Sequence, residues 1–265
     1  MTPPAVTPLA VVAHRGASRE HPEHTAAAYR AALDAGADAV ECDVRLTADQ
    51  VLVCVHDRRI DRTSDGHGAV SSLTLAELSR FSFGGAAVLT FEALLGLLRE
   101  AGRPVGLAVE TKHPCRAGAE LERAVVLALR DADLLPTDLL PTDLLEGPHQ
   151  VRLMSFSAAA VRRARELAPT LPTVLLVDPL TSTVAAAAWR STMRLPPGVS
   201  AVGPGMELVR RHPELVVRAV EAGQQVHVWT VDERADVATC VELGVSTVIT
   251  NRPREVRGWL GSTHN

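Results

Sequence analysis

Aromatic residues are scarce in this 265-residue chain, at 3 %, so its interior has to be filled by alanine, valine and leucine. Cysteine is scarce too. Cys42, Cys54, Cys115 and Cys240 form no CxxC pair and no zinc-like spacing, which argues against a thiolate zinc module. Two of them lie in apolar strand-like runs, where a buried free thiol is expected, and reduced cysteines fit a cytoplasmic protein. No stretch approaches the ~18 apolar residues that span a bilayer. The N-terminal MTPPAVTPLAVVAH lacks the basic segment and the longer apolar run of a signal peptide. Excess positive charge is missing as well. A net charge of −4 argues against a nucleic-acid or anionic-membrane binder. It leaves an anionic small molecule open as a partner, because a bound divalent cation inverts the local field.

What is present is the balance of a soluble globular protein, 46 % apolar and 22 % charged, in a length that suits one large domain over 1–265. Short Val/Leu/Ile runs alternate with Ala-rich amphipathic stretches, the pattern of a parallel sheet with crossover helices. The strand-like runs are 9–14, 37–43, 51–56, 104–111, 150–155, 172–177, 199–203, 225–230 and 246–250. Nine runs are one more than a barrel needs. Only the link between 37–43 and 51–56 is too short for a crossover helix, so it reads as a β-hairpin turning at Ala48-Asp49. The remaining eight predict a (β/α)8 TIM barrel with a hairpin and loop insertion, about 44–89, over the C-terminal mouth.

Helical patterns over 25–35, 90–101, 117–131, 157–168, 181–193, 207–222, 234–243 and 253–260 fit between the strands. Several stop on glycine, as at Gly36, Gly102, Gly223 and Gly244. The insertion holds a further short helix near 74–80. A tandem five-residue unit, LLPTDLLPTDLL at 134–145, reads as a duplicated loop with no chemical role, since its prolines forbid a continuous helix.

Chemistry in a parallel barrel collects where the strands end. Here the first run ends in His14-Arg15-Gly16, the second in Glu41-Cys42-Asp43, the hairpin return in His56-Asp57 and the third in Glu110-Thr111-Lys112. Alternation along a strand turns Glu41 and Asp43 to one face, and likewise Glu110 and Lys112, while Cys42 and Thr111 face the helices. A turn near 48–50 returns His56 to the level of Asp43 or Glu41. Three carboxylates at one mouth repel each other unless a cation neutralises them. The all-oxygen set Glu41, Asp43 and Glu110 suits one divalent cation, Mg²⁺ or Ca²⁺, better than Zn²⁺. His14 and His56 are then free to move protons, and Arg15 and Lys112 supply positive charge for phosphate oxygens. Any one of these residues alone has a plainer reading as a salt bridge or turn. Four consecutive strand ends in matching parity point to one shared site, and a cation with carboxylates, two histidines and two bases describes a phosphodiester site.

The same residues resemble the glycerophosphodiester phosphodiesterase family. The likeness runs through HRGAS, HPEHTAAAYRAALDAGADAVECDVRLTADQVLVCVHDRRIDRTSDGHG, VETK, VHVWTVD and GVSTVITNRP. It implies a barrel enzyme of glycerol and lipid metabolism that cleaves glycerophosphodiesters to sn-glycerol 3-phosphate and an alcohol. It also implies metal on Glu41, Asp43 and Glu110, acid/base work by His14 and His56, and phosphate contacts from Arg15 and Lys112. Trp229 matches the family's Trp-Thr position and would wall the glycerol pocket, the alternative being a core tryptophan under the barrel mouth. Two positions depart from the usual family pattern: His24 and Asn251 stand where the family usually has Asn and Asp. Neither is among the implied ligands, and Glu23 enters only as a supporting residue. Attack by water and attack by the glycerol 2-hydroxyl through a cyclic phosphate are both compatible.

Rival readings are weaker on specific grounds. A phospholipase-D-like relative acting on lysophospholipid or sphingomyelin calls for an exposed apolar rim, to which only Phe81 and Phe83 of the insertion could contribute. A non-catalytic phosphate-ester-binding barrel requires a lost ligand or histidine, and none is lost. A sugar isomerase would place its acids on later strands, which here end in Ser155, Val177 and Gly203.

Overall fold

The computed structural model describes residues 9–135, 150–180 and 183–261. Valine-rich runs form nine strands: β1 (Ala10–His14), β2 (Ala39–Leu46), β3 (Leu52–Cys54), β4 (Gly106–Thr111), β5 (Val151–Ser155), β6 (Thr173–Val177), β7 (Ala201–Pro204), β8 (Gln225–Trp229) and β9 (Thr247–Thr250). Eight pair in parallel, and β1 bonds to both β9 and β2, which closes the ring. The ninth, β3, lies antiparallel on β2 outside the barrel, with Val44 opposite Cys54 and Leu46 opposite Leu52. The hairpin and the eight-stranded barrel read from the sequence are therefore the observed fold. Most of the repeat at 134–145 lies outside the described residues.

Helices α1 (Ala26–Asp34), α2 (Leu75–Leu78), α3 (Phe91–Arg99), α4 (Glu120–Asp131), α5 (Ala158–Leu167) and α6 (Val184–Thr192) follow in chain order. Hydroxyl side chains start most of them. Thr25, Thr74, Thr90, Ser157 and Thr183 each accept from the amide three residues on. Each such cap contributes about 1 kcal/mol. One expectation fails here: the pattern over 207–222 is two helices, α7 (Met206–Arg211) and α8 (Pro213–Glu221). Pro213 has no N–H to continue the first helix and drives His212 out of the helical region, to φ −141° and ψ 60°. Helices α9 (Arg234–Glu242) and α10 (Pro253–Gly261) complete the ring.

Strand alternation sorts the core into layers. Val12, Ala39, Ala108, Met154, Val174, Leu176, Ala201 and Ile249 fill the barrel interior. Their neighbours of opposite parity, such as Val11, Cys42, Val109 and Leu175, pack against the helices. The insertion has its own small core of Val53, Val55, Ile60, Val70, Leu78, Phe83 and Val88. Phe81 closes over Gly66, where a Cβ would sit 2.4 Å from the ring. Phe81 and Phe83 are thus spent on packing and form no apolar rim. No helix among the described residues is long and apolar enough to cross a membrane.

Candidate active site

β2 runs past the barrel rim into the hairpin, so Glu41 and Asp43 stand mid-strand rather than at a strand end. The register puts His14 opposite Glu41 and Asp43 opposite Glu110, two successive inward levels on three adjacent strands. Glu41, Asp43 and Glu110 are 1 %, 0 % and 8 % exposed. Each offers an oxygen within 4.8 Å of the others. Among the described residues, two fixed cations, Lys112 and Arg15, form ion pairs with these acids. Lys112 Nζ lies 2.6 Å from Glu110 Oε1 and 3.1 Å from Asp43 Oδ1. Arg15 Nε lies 3.0 Å from Asp43 Oδ2, and the Arg15 backbone N–H donates to Glu41 Oε2 at 3.0 Å.

The acids respond unequally. Burial opposes ionisation of Asp43, but Lys112, His24 and Arg15 outweigh it and hold its carboxyl well below the usual range. Burial and the neighbouring Asp43 push Glu41 well above that range. Burial likewise pushes Glu110 up to about 7 against the pull of Lys112. Glu41 Oε1 has no hydrogen-bond partner, and Asp43 Oδ1 meets Lys112 without an aligned bond. A buried carboxyl oxygen without a donor, as at Glu41 Oε1, is the mark of a site that takes a cation, and an all-oxygen set suits a hard divalent ion.

The loop after β1 turns tightly at Gly16, whose φ is +85°. A Cβ there would lie 2.6 Å from the Ala28 backbone, so α1 can approach only a glycine. This turn holds Arg15 over the acids. His14 shares a hydrogen bond between Nδ1 and Asn251 Oδ1 at 2.8 Å, and its Nε2 lies 4.0 Å from Glu41 Oε2. Burial and then Arg15 depress its pKa to about 4. His56 follows β3, with Nδ1 2.7 Å from Asp57 Oδ1 and its carbonyl held by Arg45 at 2.8 and 3.1 Å. Burial is also the first cause lowering the His56 pKa. Asp57 accepts from Arg62 Nε at 2.5 Å, and Arg62 forks onto Glu23 at 2.7 and 3.0 Å. Glu23 in turn accepts from Arg15 at 3.2 Å. A chain of charged hydrogen bonds therefore joins Arg15 to His56.

His14, Arg15, Glu41, His56 and Glu110 line one side of a cavity of about 350 Å³. Met154, Phe156, Leu176, Trp229 and Ile249 line the other, with Asp178 and Thr230. Trp229 is half-buried in this wall. Its Nε1 donates to Gly203 O at 2.8 Å, and Phe156 meets it edge-on at 5.4 Å. Lys112 and Asp43 are not among the lining residues and form an ion pair with each other. Lys112 thus sits between two acids rather than on the open cavity. His67 and His113 are elsewhere, paired with Asp61 and Glu122.

Two residues that the sequence left aside belong to the site. His24, at φ +58°, shares a hydrogen bond with Asp43 Oδ2 at 3.0 Å and another with the Tyr29 hydroxyl at 2.9 Å. Asn251 contacts His14 directly. Their signal was available: both are the positions where the chain departs from its family pattern.

Residues 14–255 match the model of the Glycerophosphoryl diester phosphodiesterase family. A probable glycerophosphodiester phosphodiesterase 1 of Mycobacterium tuberculosis is 43 % identical, covering 94 % of this chain and 92 % of its own. A glycerophosphodiester phosphodiesterase of Bacillus subtilis is 30 % identical over 92 % of this chain and 84 % of its own. Among solved structures, an Oleispira antarctica phosphodiesterase in complex with the product sn-glycerol-3-phosphate superposes with a TM-score of 0.76. It is 24 % identical and covers 95 % of this chain and 96 % of its own, a likeness of fold.

Proposed function

Because the chain belongs to the glycerophosphoryl diester phosphodiesterase family, we propose that it hydrolyses glycerophosphodiesters to sn-glycerol 3-phosphate and an alcohol, at the cavity lined by His14 and His56. The observation that carries this reading is the shared cavity, on which two imidazoles, a guanidinium and two buried carboxylates all open. Glu41, Asp43 and Glu110 would hold Mg²⁺ or Ca²⁺, and such an ion supplies positive charge against phosphoryl oxygens.

The chain's own residues account for the rest. Arg15 is held by Asp43 and Glu23 with its guanidinium at the cavity, where it can face a phosphate. Lys112 keeps Asp43 and Glu110 close despite their like charge. One histidine takes a proton from the attacking hydroxyl and the other returns one to the departing alcohol oxygen. Trp229, with Phe156 and Met154, gives the carbon skeleton a dry wall.

Release of sn-glycerol 3-phosphate from a panel of glycerophosphodiesters, with and without EDTA, tests the reading. Turnover that EDTA removes and Mg²⁺ or Ca²⁺ restores is expected. Absence of product from every member in the presence of both ions would reject it.

A further inference from the structure

His14 reaches the cavity from the end of β1, and its Nδ1 meets a carboxamide rather than a carboxylate. An amide oxygen and an amide nitrogen look alike at that contact but ask opposite things of the ring. Oδ1 requires Nδ1 to carry a hydrogen, whereas Nδ2 would require it bare. What faces the rest of Asn251 decides between them.

Asp232 Oδ2 lies 2.5 Å from Asn251 Nδ2. Its Oδ1 accepts from the Asn251 backbone N–H at 2.8 Å and from Thr250 Oγ1 at 3.0 Å. Thr250 has its hydroxyl hydrogen to give, because its oxygen already accepts from the Arg252 amide at 3.0 Å. Oδ1 is thus an acceptor from two donors, and a carboxylate has no hydrogen of its own to give from Oδ2. Turning the Asn251 amide over would set two oxygens against each other at 2.5 Å, a repulsion with no donor between them. Ser18 Oγ lies 2.7 Å from Asn251 Oδ1 and 2.8 Å from the His14 carbonyl oxygen, and with one hydrogen for two acceptors it does not distinguish the orientations.

Resting on the reading of His14 as a proton carrier, we propose that Asn251, oriented by Asp232, is a positioning residue that fixes His14 in the Nδ1–H tautomer and leaves Nε2 as the proton acceptor. The step balances simply. The O–H bond of the attacking hydroxyl breaks as the Nε2–H bond forms, and the ring keeps its Nδ1–H on Asn251 throughout. His56 is then the group that protonates the departing oxygen. A neutral amide fixes the ring's hydrogen without adding a charge next to Glu41, the contrast with the acid that the family pattern carries at this position.

The test is ¹⁵N NMR of the imidazoles in the full chain with excess Mg²⁺, His14 being assigned by comparison with His14→Gln. A pyrrole-type signal at Nδ1 and a pyridine-type signal at Nε2 are expected. Asn251→Leu should lose that pattern and lower kcat roughly 10- to 100-fold with KM within about threefold, as when an orienting partner is removed. Asp232→Asn, whose amide no longer forbids the turned-over arrangement, should move the same way. Asn251→Asp combined with Asp232→Asn, which keeps an acceptor at His14 Nδ1 and a donor between the two side chains, should retain the Nδ1–H pattern and most of kcat. A wild-type Nε2–H tautomer overturns the proposal, as does an Asn251→Leu spectrum identical to wild type. If Asn251→Leu does not fold, as judged by its circular dichroism, the wild-type and Asp232→Asn spectra decide. Because the tautomer is read without substrate, its failure is distinct from failure to cleave glycerophosphodiesters.

Discussion

The cavity joins two halves of one barrel that obey different rules. On the side of β1, β2 and β4, inward positions above the core carry His14, Glu41, Asp43 and Glu110. On the side of β5, β6, β8 and β9 the corresponding wall is Met154, Phe156, Leu176, Trp229 and Ile249. The charged half is held by hydrogen bonds in which each group depends on a neighbour: Asp43 alone contacts Lys112, Arg15 and His24. The apolar half is held by packing, where neighbours are more interchangeable. A change in the first should therefore disturb chemistry, and a change in the second should disturb fit.

The largest expected effect is on the acids. Glu41→Gln should lower kcat by about 10³-fold or more, because on the proposed function several kcal/mol of charge stabilisation would come from a cation held there. Calorimetric titration with Mg²⁺ should show weakened binding. Unchanged binding and turnover in this variant would erase the distinction between the halves. His14→Ala and His56→Ala come next, with kcat down by roughly 10²–10³ and thermal melting little altered.

Across the cavity, Trp229→Ala should raise KM about tenfold and leave kcat within about threefold, the loss of substrate contact rather than of transition-state contact. A kcat loss as deep as that of the histidines would show that the apolar wall takes part in the chemistry.

The smallest effect separates the histidines themselves. His227, on β8, is buried, and burial followed by Arg152 lowers its pKa to about 3. Between that value and the ordinary value of about 6.5, the unfolded chain binds a proton that the folded chain refuses. Stability should therefore fall as pH drops from about 6.5 towards 3. His227→Gln should flatten this part of the pH–stability curve in urea melts, and an unchanged slope would show that His227 does not contribute.

The charged half was legible because ionisable residues at the ends of apolar runs are improbable unless they are used. His14, Glu41, Asp43, His56 and Glu110 could all be named from strand parity and one hairpin. Trp229 could be named by family likeness but not by parity, since an apolar residue at a strand end looks the same whether it lines a wall or fills a core. Lys112 was placed by its charge, but the structure sets it between Asp43 and Glu110. Asn251 is 237 residues from His14, and nothing local to either hints at the contact. The divided helix at Pro213 was a local signal outweighed by a strong helical pattern.

Alternation of period two and the length of the links determined the barrel, the hairpin and the face on which each acid lies, since these follow from the geometry of a single strand. Closure of the sheet decided the rest. Pairing β1 with β9 brings the last strand's Asn251 onto the first strand's His14, and with it the choice of which ring nitrogen is bare. Hydrogen-bond direction depends on every partner in a network, so it exists only once the chain has folded around it.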